Sequence, residues 1–131
     1  MIKLSKKAIA LLKGKNFAYL GTVNRDGSPQ VTPVWIDTDG KNVLVNTALG
    51  RAKERNVSRD PRVAVAVYDG LNQYTGVSIS GKVIGRITGK RADEHIDSLS
   101  YKYTGQKKYK SSKPEEKRVI LVVEPTRASE R

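Results

Sequence analysis

Apolar and polar positions change their rhythm several times along this chain, and each change marks an element. Over residues 4–13, Leu4, Ala8, Leu11 and Leu12 recur at helical spacing, and Gly14 follows as a stop. From Phe17 the period falls to two. FAYLGTV (17–23) runs into NRDGSP, where Asp26-Gly27 is a hairpin signal. QVTPVWI (30–36) ends at Asp39-Gly40, the same signal, and NVLVNT (42–47) follows. Two consecutive hairpins predict a three-stranded antiparallel meander.

RAKERNVSRD (51–60) then reads as a short helix, with Gly50 before it and Pro61 after it. RVAVAVYD (62–69) is a β-branched alternating strand. YTGVSISGKVIGRI (74–87) is one long strand or two, with Gly81 and Gly85 as bulge or bend points. KRADEHIDSLSYKY (90–103) is helical, with Ala92, Ile96, Leu99 and Tyr103 on one face. A polar loop (104–116) leads to RVILVVEP (118–125), a last strand apolar on both faces. The fold class is mainly β with peripheral helices (α+β). Six or seven short strands with regular turns point to an antiparallel barrel rather than a parallel sheet. With no linker and no internal repeat, residues 1–131 form a single domain.

Composition narrows the chemistry. Zero cysteines exclude disulfides, thiol nucleophiles and thiolate metal sites, and a single histidine argues against a His-based zinc site. No metal is expected. No apolar run is long enough to span a membrane, and AIALL is too short for a secretory signal core, so an intracellular, cytoplasmic protein is expected. Hydrophobic content of 37% is low for a globular domain, which favours a chain that adds to its core by dimerising. The net charge of +12 asks for an anionic partner.

No catalytic constellation is visible, and catalytic residues are not assigned. His95 sits among charges at helical spacing and reads as a solvated or helix-capping side chain. Asp26, Asp39 and Asp69 are turn residues beside glycine. An enzyme of this kind would need a cofactor to carry the chemistry. One place could hold one. A strand ends at Thr47 and a helix begins near Arg51, where free N–H groups and the positive dipole end attract anions. Arg51 and Lys53 in the first turn, with the Thr47 hydroxyl, would make a phosphate cradle. On spacing alone, a solvated charged helix is the favoured reading.

A resemblance shifts that balance. TVNRDGSPQVTPVW, RAKERNVSRDPRVAVAV, YTGVSISGKV, the helix with YKYTG and the closing RVILVVEP stand in one order over Phe17 to Pro125. This ordered set resembles the pyridoxamine-phosphate-oxidase-like split β-barrel superfamily, and within it the branch of reductases that use the deazaflavin coenzyme F420. The resemblance implies a homodimer with two cofactors in grooves at the subunit interface. By position, Arg51, Ala52 and Lys53 with Thr47 would hold the phosphate. Gln30, Pro33, Val34 and Trp35 would line the ring and ribityl chain. Tyr74, opening the next long strand, would approach from the other subunit. Pro33 and Trp35 share one strand face and Gln30 and Val34 the other, so one set must act through its backbone. The plain alternative for Trp35 is core packing.

The implied reaction is hydride transfer from reduced F420 to an electron-poor small molecule, with the proton from solvent or a hydroxyl such as that of Tyr74. FMN is the alternative cofactor. F420 carries an acidic lactyl-oligoglutamate tail, for which Arg55, Arg59 and Lys107–Lys110 are candidates. Pyridoxamine phosphate oxidation itself is not expected, because the longer C-terminal segment bearing Arg and His is absent. A reading of another class is a small basic nucleic-acid-binding barrel, in which Tyr101, Tyr103 and Tyr109 interleave with Lys102, Lys107, Lys108 and Lys110.

Overall fold

The computed structural model describes residues 1–111, 113 and 115–131. Ser112 and Pro114, inside the expected polar loop, lie outside the described residues. The elements are α1 (Lys6–Lys13), β1 (Phe17–Val23), β2 (Pro29–Val34), β3 (Ile36–Thr38) and β4 (Val43–Ala48), then α2 (Ala52–Arg59). β5 (Arg62–Tyr68), β6 (Gly76–Thr88), α3 (Lys90–Thr104) and β7 (Arg118–Glu130) complete the chain.

All seven strands form one antiparallel sheet in the order β2-β1-β5-β6-β7-β4-β3. The edges of that sheet are β2 and β3. They are successive pieces of one run, separated only by Trp35. One intervening residue spans at most about 7 Å between Val34 and Ile36, so the sheet must roll until its edges nearly meet. The result is a split barrel whose seam lies at Trp35. The expected three-stranded meander is corrected here. β2 pairs with β1 and β3 pairs with β4, but β2 and β3 lie at opposite ends of the sheet. Residues 33–36 are a continuous apolar run with no Gly, Asn or Asp, so nothing local marks the break.

Alternation fills the barrel. Leu20, Ile36, Val43, Val45, Val65, Val67, Val77, Ile79 and Leu121 point inward and are fully buried. Helix α1 packs on β3, β5 and β6 and adds Ala8, Leu11 and Leu12 to the same core. Its start is capped by Ser5, whose hydroxyl accepts from Ala8 N at 3.0 Å.

Strand β6 is one long strand with register shifts at Ser80/Gly81 and Val83/Gly85, as its glycines suggest. A Cβ on Gly81 would lie 2.5 Å from the Glu124 carbonyl, so only glycine allows β7 this close. Two further expectations are corrected. Tyr74 does not open a strand; it stands in the turn before Gly76 and is 71% exposed. An Asx-type bond, Tyr74 N to Asn72 Oδ1 at 3.1 Å, holds it in that turn. The last strand does not stop at Pro125 but continues to Glu130, because its polar end pairs with the start of β6.

Candidate functional site

The seam opens into a cleft of about 450 Å³, a size suited to a small ligand. Its two ends differ in chemistry. One is cationic, built where β4 turns into α2 and β7 begins. The other is aromatic, built around Trp35.

The cationic end starts from a backbone requirement. Gly50 has φ +90°, which lets the chain turn from β4 into the helix. Arg51 is the N-cap of α2 without a side-chain cap bond, and Lys53 is the second helical residue. Glu54, at the third helical position, reaches back to accept from Gly50 N at 2.8 Å. The same carboxylate accepts from Ser58 Oγ at 2.8 Å and pairs with Arg86 on β6. The helix start is thereby pinned to the sheet. Burial would raise the Glu54 carboxyl, but Gly50, Ser58 and Arg86 together hold it below the usual range.

Arg51 is braced side-on by Glu116, through Nε to Oε2 at 3.0 Å and Nη2 to Oε1 at 2.9 Å. Lys53 has no ion-pair partner among the described residues. Burial, then Arg51 and Arg118, pull Lys53 below the ordinary lysine value. Two buried donors on this wall also lack partners among the described residues: the Thr47 hydroxyl and Arg118 Nη1. Buried polar groups normally find partners. The unpartnered Thr47 hydroxyl stands beside three cations, Arg51, Lys53 and Arg118, a set whose chemistry suits an oxygen-rich anion.

At the aromatic end, Trp35 stacks on Tyr103 with centroids 5.5 Å apart and planes 5° apart. Tyr109 meets Trp35 edge-on at 5.9 Å and 83°. Trp35 is half-buried in this cleft wall rather than part of the barrel core. Tyr103 has a second duty. Its hydroxyl donates to Asn16 O at 3.0 Å and accepts from Ile36 N at 3.3 Å, so it supplies the bond that Ile36 loses at the seam. Lys102 beside it donates to Leu12 O at 2.9 Å and Ile36 O at 2.6 Å.

The structure brings together Pro33, Val34, Trp35, Thr47, Arg51 and Lys53 around one cleft. Within one chain it does not bring the other three there, Tyr74 being the residue expected from the other subunit. The Gln30 side chain accepts from Thr22 Oγ1 at 3.2 Å. Ala52 faces a different groove beyond α2, and Tyr74 stands over a shallow hollow with Phe17 and Tyr19. Sequence reasoning missed Asn16, Asn46, Tyr109 and Arg118 on the cleft wall. It also misread His95, whose side chain is only 11% exposed. His95 Nε2 lies 3.1 Å from Asp37 Oδ2, and Nδ1 lies 3.1 Å from Asn46 Nδ2. The signal for Asn46 and Arg118 is the β4–β7 pairing, which a single sequence does not display.

No helix among the described residues is long and apolar enough to cross a membrane. Among the same residues, no three His, Cys, Asp or Glu side chains cluster as for a metal ion.

A family model described as pyridoxamine 5′-phosphate oxidase matches residues 4–131. Among solved structures, one titled F420 reductase superposes with a TM-score of 0.81 at 29% identity, covering 96% of this chain and 98% of that one. HupZ of Group A Streptococcus gives 0.66 at 16% identity over 97% and 93% of the two chains. General Stress Protein 26 of Bacillus anthracis gives 0.66 at 17% over 95% and 91%. At such identities the last two speak for the fold alone.

Proposed function

The chain belongs to the pyridoxamine 5′-phosphate oxidase family, and we propose that it is an oxidoreductase holding coenzyme F420 in the seam cleft. The observation that carries this reading is the pairing of opposite chemistries in one cleft: cations with unused buried donors at one end, stacked rings at the other. A ribityl phosphate bearing a flat ring matches both. Arg51, Lys53 and the Thr47 hydroxyl would hold the phosphate, with the Ala52 backbone N–H at the helix start. Pro33, Val34 and Trp35 would flank the ring, and Tyr103 fixes the plane of Trp35.

When bound, such a cofactor supplies the hydride for an electron-poor small molecule. The protein's part is to orient the ring and shed water from it. The Tyr103 hydroxyl is engaged with two backbone groups, so the proton is left to solvent or to a rim hydroxyl. FMN is the second cofactor candidate, since it offers the same phosphate and a similar ring. The similarity to the F420 reductase and the net charge of +12, suited to an acidic tail, favour F420.

The proposal includes a second copy of the chain. The outer face of β2, β1 and β5 carries Val31, Pro33, Phe17, Tyr19, Ala64 and Ala66 in register, with no charge between them. Phe17 is 72% exposed there. Phe17, Tyr19 and Pro33 also line the cleft, so a partner seated on this face would roof it. Sedimentation over a range of concentrations tests it; a monomer throughout removes the partner from the reading. The nucleic-acid alternative gains nothing, as Tyr103 and Tyr109 are turned in against Trp35.

The deciding experiment follows the fluorescence of Trp35, the only tryptophan, during titration with F420 and with FMN. Saturable quenching by F420, lost in Arg51→Ala/Lys53→Ala, is the expected result. Tighter quenching by FMN would assign the flavin instead. No response to either ligand would overturn the cofactor reading.

A further inference from the structure

We propose that Arg118 is a third anion-binding residue of the cleft, aimed there by a chain running Asp37–His95–Asn46. The proposal rests on the anion reading above and deepens it. Arg118 opens β7 opposite Ala48, beside Thr47 on β4. It is 8% exposed, yet no carboxylate among the described residues pairs with it. Its Nε donates to Asn46 Oδ1 at 3.0 Å. Among the described residues its Nη1 has no acceptor, and neither does the neighbouring Thr47 hydroxyl. Below it lies the ring of Tyr109, 5.1 Å from Cζ, so one flat face is covered while an edge remains unused. A buried guanidinium without an anion is costly to a fold. Here Arg51 and Lys53 in the cleft repel it, and the one carboxylate that acts on it, Glu116, is already held by Arg51. A phosphate group would satisfy all three.

Donor and acceptor roles fix where Arg118 points. Arginine Nε can only donate, so the oxygen of Asn46 must face it. The Asn46 amide nitrogen then turns the other way, donating to Ala92 O at 2.9 Å and to His95 Nδ1 at 3.1 Å. His95 therefore accepts at Nδ1 and carries its proton on Nε2, which donates to Asp37 Oδ2 at 3.1 Å. Asp37 accepts in turn from Thr38 N at 2.8 Å and lies 4.0 Å from the Lys13 ammonium. Every polar atom of Asn46 and both ring nitrogens of His95 are used with one consistent set of protons. The chain ends on the one residue that still has donors to give. Asn46 and His95 are positioning residues, since each reaches the anion only through Arg118.

The test separates phosphate binding from folding by using ligand pairs that differ by the phosphate. Affinities are measured for FMN and riboflavin, and for the deazaflavin core of F420 with and without its 5′-phosphate. The ratio within a pair is the phosphate preference. Arg118→Gln should lower that preference about tenfold or more, in line with a lost charge-assisted bond. The phosphate-free ligand should bind as before. Arg118→Lys should recover part of the preference, and Asn46→Ala should lower it with the charge still present. A damaged fold would weaken both members of a pair alike and leave the ratio unchanged. If Arg51→Ala/Lys53→Ala abolishes the preference while Arg118→Gln keeps it, the role of Arg118 is overturned and the cradle stands. If the wild-type protein shows no preference, the cradle and this proposal fall together.

Discussion

Helix α2 has arginines on both sides, and the two sides behave differently. One side faces the seam cleft. The other faces a groove lined by Arg25, Arg55 and Arg59 with Asp26. That groove is the larger of the two, about 750 Å³ against about 450 Å³. Two of its arginines are occupied. Arg55 donates to Gly50 O, and Arg59 donates to Val23 O at 2.6 Å and Asn56 Oδ1 at 3.2 Å. The side chains mend the helix start and a strand end. In the cleft, Lys53 lacks an anion and two buried donors lack any acceptor. Positive charge is common to both regions; unused donors in a wall shut away from water belong to one. It is the second property that marks a binding site, because an exposed, hydrated cation loses about as much as it gains on meeting an anion.

That contrast is broken or sharpened most strongly by paired substitutions. Arg51→Ala/Lys53→Ala should weaken FMN or F420 binding about a hundredfold or more, two charge-assisted bonds being lost. Arg55→Ala/Arg59→Ala should change FMN affinity less than about threefold. Equal losses, measured by Trp35 quenching, would erase the distinction. A loss confined to F420 would assign the groove to its acidic tail. Next in size is Glu54→Gln, since Glu54 anchors the helix that both regions share. Removing the carboxylate leaves Arg86 without its ion pair and should cost about 1–3 kcal/mol in denaturant unfolding.

A smaller effect concerns pH. Without a ligand, burial and two neighbouring cations hold Lys53 below the ordinary lysine value. A bound phosphate favours the charged amine and raises that value. Affinity is then full below the ligand-free value and falls as pH rises through the lysine's titration. The loss should approach about tenfold for each unit by which the ligand moves it. Lys53→Arg should flatten the profile, because arginine keeps its proton. The smallest effect is expected for Arg59→Ala alone, within about 0.5 kcal/mol of wild type in unfolding, as for most surface changes.

Much of this molecule is written in local pattern. Strand β1 is delimited by its alternation, and Asp26-Gly27 and Asp39-Gly40 place their turns because each aspartate caps nearby N–H groups. Half of the cationic end is equally legible, since Thr47, Arg51 and Lys53 stand within one strand-to-helix junction. What escapes is whatever depends on distant pairing. Arg118 reads as the polar start of a strand until β7 lies beside β4, where its Nε meets a residue 72 positions earlier. His95 reads as a surface residue because its partners, Asp37 and Asn46, come from other strands. Residues 30–36 read as one strand because no Gly, Asn or Asp interrupts them; only the closing of the barrel separates Val34 from Ile36. The polar residues 126–130 read as a tail, though β6 is long enough to pair with them.

The β4–β7 pairing also sets an order of events during synthesis. β1–β2, β3–β4 and β5–β6 are hairpins between neighbours, able to form as each emerges. Thr47 and Arg118 meet only when the final strand inserts between β6 and β4. A nascent chain halted before Arg118 would hold its hairpins yet lack the cleft wall that β7 completes. Since a ligand stabilises only the state that binds it, a cofactor present during translation would favour the finished molecule and none of its precursors.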